Sequence, residues 1–91
     1  MSSPEPSSGP AGASAAQRVL EYVTTQLVDD PSSITIDAEE SRGGVVLRLR
    51  VAPDDMGKVI GKRGRVAQSI RTVVRAAGAR DGVSVNVDIV D

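Results

Sequence analysis

Val59-Ile60-Gly61-Lys62-Arg63-Gly64, running directly into Arg65-Val66-Ala67-Gln68-Ser69-Ile70-Arg71, is the stretch on which the fold turns. Two glycines stand three apart with two cations between them, and apolar residues at helical spacing flank them on both sides. Glycine admits positive φ and lets the backbone approach a bulky partner closely. Gly64 leads into a helix start, where unpaired N–H groups and the positive end of the helix dipole favour an anion. Lys62 and Arg63 place charge at the same point. A loop of this kind is suited to gripping a phosphate backbone.

Spacing excludes two other glycine motifs. A Walker A loop requires G-x-x-x-x-G-K-[ST]. Gly57 to Gly61-Lys62 is one residue short of it, and Arg63 stands where the magnesium-binding hydroxyl belongs. The dinucleotide fingerprint G-x-G-x-x-G fails because Val59 occupies the place of its first glycine. The remaining competitor is an ordinary helix–turn–helix corner with its charges in solvent. The four residues alone do not separate these readings, but their surroundings do.

The net charge of −1 conceals a polarised chain. Residues 1–41 carry one basic residue, Arg18, against seven acidic ones, whereas residues 42–91 carry ten against five. Within 58–80 the seven cations Lys58, Lys62, Arg63, Arg65, Arg71, Arg75 and Arg80 meet no acid at all. Where charge sits, more than its total, sets what a surface attracts. Seven like charges so close together exceed what a merely solvated helix face requires.

Working outward to the N-terminus, residues 1–14 are nearly all Ser, Pro, Gly and Ala. Such a segment cannot offset the entropy of ordering itself, so a disordered tail is expected there and a single domain over 15–91. The tail lacks the apolar centre of a signal peptide, and no run of about 18 apolar residues occurs anywhere, which points to the cytoplasm. The absence of cysteine rules out disulfides and thiolate metal sites. The domain must be held by aliphatic side chains, with Tyr22 the only aromatic.

Ser14-Ala15-Ala16-Gln17 fits a capping box, and Ala16, Leu20, Val23 and Leu27 then recur at helical spacing. Asp29-Asp30-Pro31 ends that helix. Residues 33–39 alternate apolar and polar and read as a strand; 40–44 read as a turn; Val45, Leu47, Leu49 and Val51 give a second strand. Pro53, Asp54 and Asp55 suit a helix start, with proline in the first turn and acids on the dipole. The short helix 54–60 is expected to bury Met56, Val59 and Ile60. After the loop, Val66, Ile70, Val73, Val74 and Ala77 form one apolar stripe, with Gln68, Arg71 and Arg75 opposite and Gly78 as the terminating residue. Val83, Val85, Val87 and Ile89 complete a last strand. The order is α-β-β-α-α-β. Strands apolar on one face only predict a two-layer α+β domain, a three-stranded sheet with three helices packed on one face.

The G-x-x-G loop in this element order resembles a KH domain of type II. Leu27-Val28-Asp29-Asp30-Pro31, Asp54 to Lys62 and Ile70 to Ala77 further resemble the small bacterial single-KH RNA-binding proteins of the KhpA type. Ala67 stands where many KH domains carry Ile or Leu. The resemblance implies that the loop clamps about four nucleotides of single-stranded RNA. It implies a site of Gly61, Lys62, Arg63, Gly64 and Arg65, with Lys58 beside them and Ile60 and Val66 offering aliphatic surface to bases. Taking the 40–44 turn as the variable loop puts Arg42 in reach. Backbone N–H groups of Lys62 to Arg65 are expected to meet phosphates.

Work as an RNA chaperone or post-transcriptional regulator is implied as well, as is a homodimer or a heterodimer with a Jag-type KH partner. The scarcity of aromatics argues against RRM-type or OB-type readers. Nothing in the chain suggests catalysis, since His and Cys are absent and Asp54-Asp55 suit the helix dipole. No cofactor, metal, small-molecule substrate or membrane is expected. The competing function is a protein-interaction or assembly module with a vestigial glycine loop.

Overall fold

Alternation of apolar and polar residues in the middle of the chain organises the sheet of the computed structural model, which describes residues 13–90. Strand β2 (Gly44–Arg50) buries Val45, Leu47 and Leu49 and turns Val46 and Arg48 to the other face. Strand β1 (Thr35–Ser41) pairs with it antiparallel, from Thr35 opposite Arg50 to Ser41 opposite Gly44, across the tight turn Arg42-Gly43. Strand β3 (Val85–Ile89) lies parallel on the other side, with Val45 opposite Val85 and Leu49 opposite Ile89. The sheet order is β1-β2-β3.

A parallel pair needs a crossover. Here it consists of a 3₁₀ turn (Pro53–Asp55), α2 (Met56–Ile60), the glycine loop and α3 (Arg65–Arg80). Helix α1 (Ser14–Leu27) runs beside α3, its start next to α3's end, where Ala15, Val19, Ala77, Arg80 and Asp81 line a shared groove. Leu20, Leu47, Leu49, Val59, Val74 and Val85 are fully buried between the layers. On the opposite face Arg48 pairs with Glu39 of β1 and, at 3.9 Å, with Asp88 of β3, tying all three strands together. The α-β-β-α-α-β order and the two-layer α+β architecture are as expected.

Several details differ from expectation, each for a local reason. The expected tail falls on residues 1–12, outside the described residues, and on Ala13 and Ser14. Ala13 is wholly buried and accepts the Gln17 N–H, so Ser14 is the first helical residue and no side chain caps the helix. Residues 31–33 form a 3₁₀ turn, which delays β1 to Thr35. Gly78 lies inside α3, and the chain leaves the helix through Asp81 and the positive-φ Gly82.

Helix α3 is also rotated from the expected stripe. Its buried residues are Ala67, Ile70, Val74 and Gly78, while Val73 is 48% exposed. Small residues prevail because the helix lies close on β3: a Cβ on Gly78 would sit 2.5 Å from Val85 Cγ2. Helix α2 is too short to bury three side chains. Only Val59 enters the core, and Ile60, one residue on, is 37% exposed.

Candidate nucleic-acid interface

Gly61 ends α2 after five residues, its N–H donating to Gly57 O at 2.8 Å and its backbone turning to φ 75°, ψ 176°. A Cβ there would lie 2.4 Å from Val66 Cγ2, so the first turn of α3 rests directly on this glycine. Arg63 (φ 59°, ψ 24°) and Gly64 (φ 73°, ψ 14°) follow as two successive left-handed residues. That conformation costs an arginine roughly 1 kcal/mol. The strain places Lys62, Arg63 and Arg65 on the exterior around one tight turn, all exposed.

Of the N–H groups from Lys62 to Arg65, expected to meet phosphates, two are already taken by the chain itself. Gly64 N–H donates to Gly61 O at 3.2 Å, and Arg65 N–H donates to Lys62 O. The Lys62 and Arg63 N–H groups have no backbone acceptor among the described residues. Two such donors within a ring of three cations share the geometry of backbone nests, in which successive N–H groups point to one side.

Lys58 stands apart from that ring, drawn to carboxylates. Its ammonium pairs with Asp29, and with Asp55 at 3.3 Å. The hydrogen bond to Asp29 outweighs desolvation and raises its pKa. Asp55, only 2% exposed, accepts the Asp29 N–H at 3.2 Å and the Asp30 N–H at 3.1 Å. Burial pushes its pKa up, but these two N–H groups and Lys58 together hold it below its ordinary value. Asp55 therefore clamps the segment after α1 onto the start of α2, beyond the dipole role its position suggests.

Arg42 is not brought to the loop. The β1–β2 turn shares a groove with Gly82, Val83 and Ser84, and Val45 N–H donates to Ser84 O, all at the end of α3. From Arg65 to Arg80 the helix rises about 22 Å, which separates Arg42 from Gly61–Gly64. Ile60 and Val66 do flank the loop, the first exposed and the second half-buried.

The rotation of α3 creates a surface outside the expected residue set. Arg71, Arg75, Gly78 and Ala79 lie on the side of α3 that meets β3 and the chain leading into it. Arg71 Nε donates to Val87 O at 3.3 Å. Ser84 O and Val90 N–H are both bonded to β2, so the alternate residues Val85, Val87 and Ile89 direct their backbone groups away from it, along a free edge. Arg75, Ala76, Ala79, Val83, Ser84 and Val85 line a groove of about 430 Å³ at the lower end of this face. The sequence signal was the 71/75 spacing of cations on one face of α3.

Comparison with known proteins agrees with this architecture. The family model described as KhpA/KhpB, KH domain, matches residues 17–89. The chain is 42% identical over 74 residues to the RNA-binding protein KhpA of Clostridium acetobutylicum, covering 81% of this chain and 99% of that protein. It is 45% identical over 75 residues to the RNA-binding protein KhpA of Streptomyces coelicolor, covering 82% and 91%. The protein of that name from Leifsonia xyli is 44% identical over 72 residues, covering 79% and 92%. No solved structure matches the chain.

Proposed function

The chain belongs to the KhpA/KhpB family of KH domains, and from that premise we propose that it binds single-stranded RNA without catalysis, through the Gly61–Gly64 loop. The observation that carries this reading is the loop itself. Its positive-φ residues leave the Lys62 and Arg63 N–H groups unclaimed within the cation triad Lys62, Arg63 and Arg65. Phosphate contacts of this sort hold a strand in place and carry no sequence information. Ile60 and Val66 offer aliphatic surface to the bases beside it. Lys58 contributes through its anchoring of α2, and Arg42 has no part at the loop.

In a cell the protein acts in the cytoplasm as an RNA chaperone or post-transcriptional regulator; among the described residues no helix is long and apolar enough to cross a membrane. It works as a homodimer, or with a Jag-type KH partner, since a footprint of about four nucleotides gains avidity when two grooves are joined. Exposed Val73 and Tyr22 on the outer helical layer supply apolar surface for such a contact.

The test is the double substitution Lys62→Asp, Arg63→Asp, assayed by circular dichroism, thermal melting and titration with single-stranded RNA. The folded variant is expected to lose binding. For the native chain, log K should fall against log salt with a slope of about −3, from roughly −0.7 for each of about four phosphates. Unchanged binding by the folded double variant overturns the reading. Preference for duplex RNA does so too.

A further inference from the structure

We propose that the outer edge of β1 docks an extended, basic segment of a partner protein, which joins the sheet as an added strand. The proposal is independent of the glycine loop. It draws on the acidic half of the chain, which a phosphate ligand would not engage.

Unpaired backbone is the first support. Val45 N–H donates to Ser84 O and Leu49 O accepts from Val90 N–H, so those residues of β2 face β3. The alternate residues of β2 face β1, where Gly44, Val46, Arg48 and Arg50 stand opposite Ser41, Glu39, Asp37 and Thr35. Ile36, Ala38 and Glu40 therefore direct their N–H and C=O groups outward, where no strand meets them among the described residues. Natural edges are often blunted by shortness, a bulge or a proline. Strand β1 runs unbroken over seven residues in continuous register with β2, and it holds no proline. The other outer strand, β3, has five residues, and Arg71 Nε already donates to its Val87 O.

The surface beside the edge is the second. A groove of about 180 Å³ opens there between α1 and β1, lined by Gln17, Glu21, Ile34 and Ile36. Ile34, Ile36 and Ala38 are only half-buried, so the inward side chains of an added strand would find apolar surface to cover. Gln17 Oε1 is shut off from solvent and has no hydrogen-bond partner among the described residues. An acceptor left in that state is costly, and a donor from the incoming segment would satisfy it.

Charge selects the occupant. Residues 14–41 hold six acids against Arg18 alone. Glu21 lines the groove, Asp37 and Glu40 are exposed on β1, and none of the three has an ion-pair partner among the described residues. Such an edge repels phosphate and attracts lysine and arginine. A second copy fits poorly. Antiparallel pairing of two β1 edges about Ala38 would set Asp37 against Glu39 and Glu40 against Ile36, and like charges directly opposite are destabilising. A segment alternating aliphatic and basic residues meets both demands, because successive side chains of a strand face opposite sides. Its aliphatic residues would cover Ile34 and Ile36 while its cations lie beside Asp37.

The test titrates the isotopically labelled full chain with the blocked peptide Lys-Val-Lys-Val-Lys-Val-Lys and with its counterpart carrying Glu for Lys. At low salt the basic peptide is expected to bind at least about tenfold more tightly than the acidic one. At about ten times its Kd it should slow hydrogen exchange at the Ile36, Ala38 and Glu40 amides about tenfold, since only about a tenth of the chain is then free. The triple variant Glu21→Gln, Asp37→Asn, Glu40→Gln should weaken the basic peptide about tenfold and leave RNA affinity no weaker. Ala38→Pro removes one outward donor and no bond to β2, so it should abolish peptide binding with an unchanged circular dichroism spectrum. If Ala38→Pro unfolds the chain, the triple variant and the exchange rates still decide. Absence of binding by the basic peptide overturns the proposal, as does equal affinity for the two peptides. Binding without slowed exchange at Ile36, Ala38 and Glu40 overturns it as well. A native dimer that Ala38→Pro converts to monomer, with neither peptide bound, would give the edge to a second copy instead. Loss of RNA binding by the triple variant would give it to RNA.

Discussion

Replacing Gly57, Gly61 and Gly64 one at a time by alanine should give three different outcomes within eight residues of chain. At Gly61 two costs combine. A backbone at φ 75°, ψ 176° lies in a region only glycine enters freely, which costs another residue about 1–3 kcal/mol. The new Cβ would also stand 2.4 Å from Val66 Cγ2, 2.8 Å from Val66 Cβ and 3.0 Å from Val66 N. Val66 N is backbone at the start of α3, so relief requires moving the helix, and overpacking of this kind costs about 1–3 kcal/mol more. The sum is about 2–6 kcal/mol. For a domain of this size each kcal/mol is worth about 4–8 °C, so Tm should fall by at least about 8 °C. Gly64, left-handed at φ 73°, ψ 14°, has nothing within 4 Å of its added Cβ; only the left-handed penalty applies, about 1 kcal/mol and about 4–8 °C. Gly57 sits inside α2 in open space, where alanine should stabilise by about 0.5–1 kcal/mol. Thermal melts followed by circular dichroism should therefore rank Gly57→Ala above the native chain, then Gly64→Ala, then Gly61→Ala. A Gly64→Ala melt as low as that of Gly61→Ala would refute the reasoning, because it would mean that packing on Val66 contributes nothing.

Three further outcomes follow from other residues. Asp55 has a lowered pKa, so its contribution is intact above the ordinary aspartate value of 3.8 and is lost as pH falls through the folded value; acid melts should show Asp55→Asn removing part of the low-pH destabilisation. Arg63→Asn should hold or raise Tm, since asparagine tolerates the left-handed conformation better than arginine, while weakening RNA binding in the titration used for the loop. Gly78→Ala should lower Tm, against its usual benefit in a helix, because the Cβ meets Val85 Cγ2 at 2.5 Å and Val83 O at 3.0 Å; an increase would show that α3 can lift off β3 at little cost.

Element order and loop were legible because they depend on local chemistry. Val45, Leu47 and Leu49 alternate whatever they pair with, and Gly61-Lys62-Arg63-Gly64 announces a cationic turn before a helix. What could not be read was set by distant partners. Arg42 was assigned to the loop because nothing local says that β3 lies parallel to β2, which puts the β1–β2 turn at the wrong end of α3. Lys58 counted as one cation among seven, since its pairing with Asp29 crosses 29 positions of sequence. The face of α3 was legible in part: Ile70 and Val74 are buried and Val66 and Ala77 pack half-buried against the core, while Val73 is exposed and close approach to a strand adds the small Ala67 and Gly78. The packing of α3 also turns Arg71 and Arg75, counted among the seven cations and set opposite the apolar stripe, toward the edge of the sheet.

The parallel pairing of β2 with β3 also orders the events of folding. The β1–β2 hairpin closes over two residues, a step of microseconds. Val45 meets Val85 only after some forty intervening residues have formed two helices and a tight loop, so β3 must arrive late. Being both the last strand to dock and an outer one, it is also the first to leave when the native state fluctuates. The β2-facing amides of Asn86, Asp88 and Val90, with those of Leu47 and Leu49 that bond to β3, should therefore exchange with solvent sooner than those of Val46 or Arg48, which face β1. Each such departure uncovers the side of α3 that rests on Val85 while the helices stay packed on one another, so the close approach at Gly78 lasts only as long as the final strand is docked.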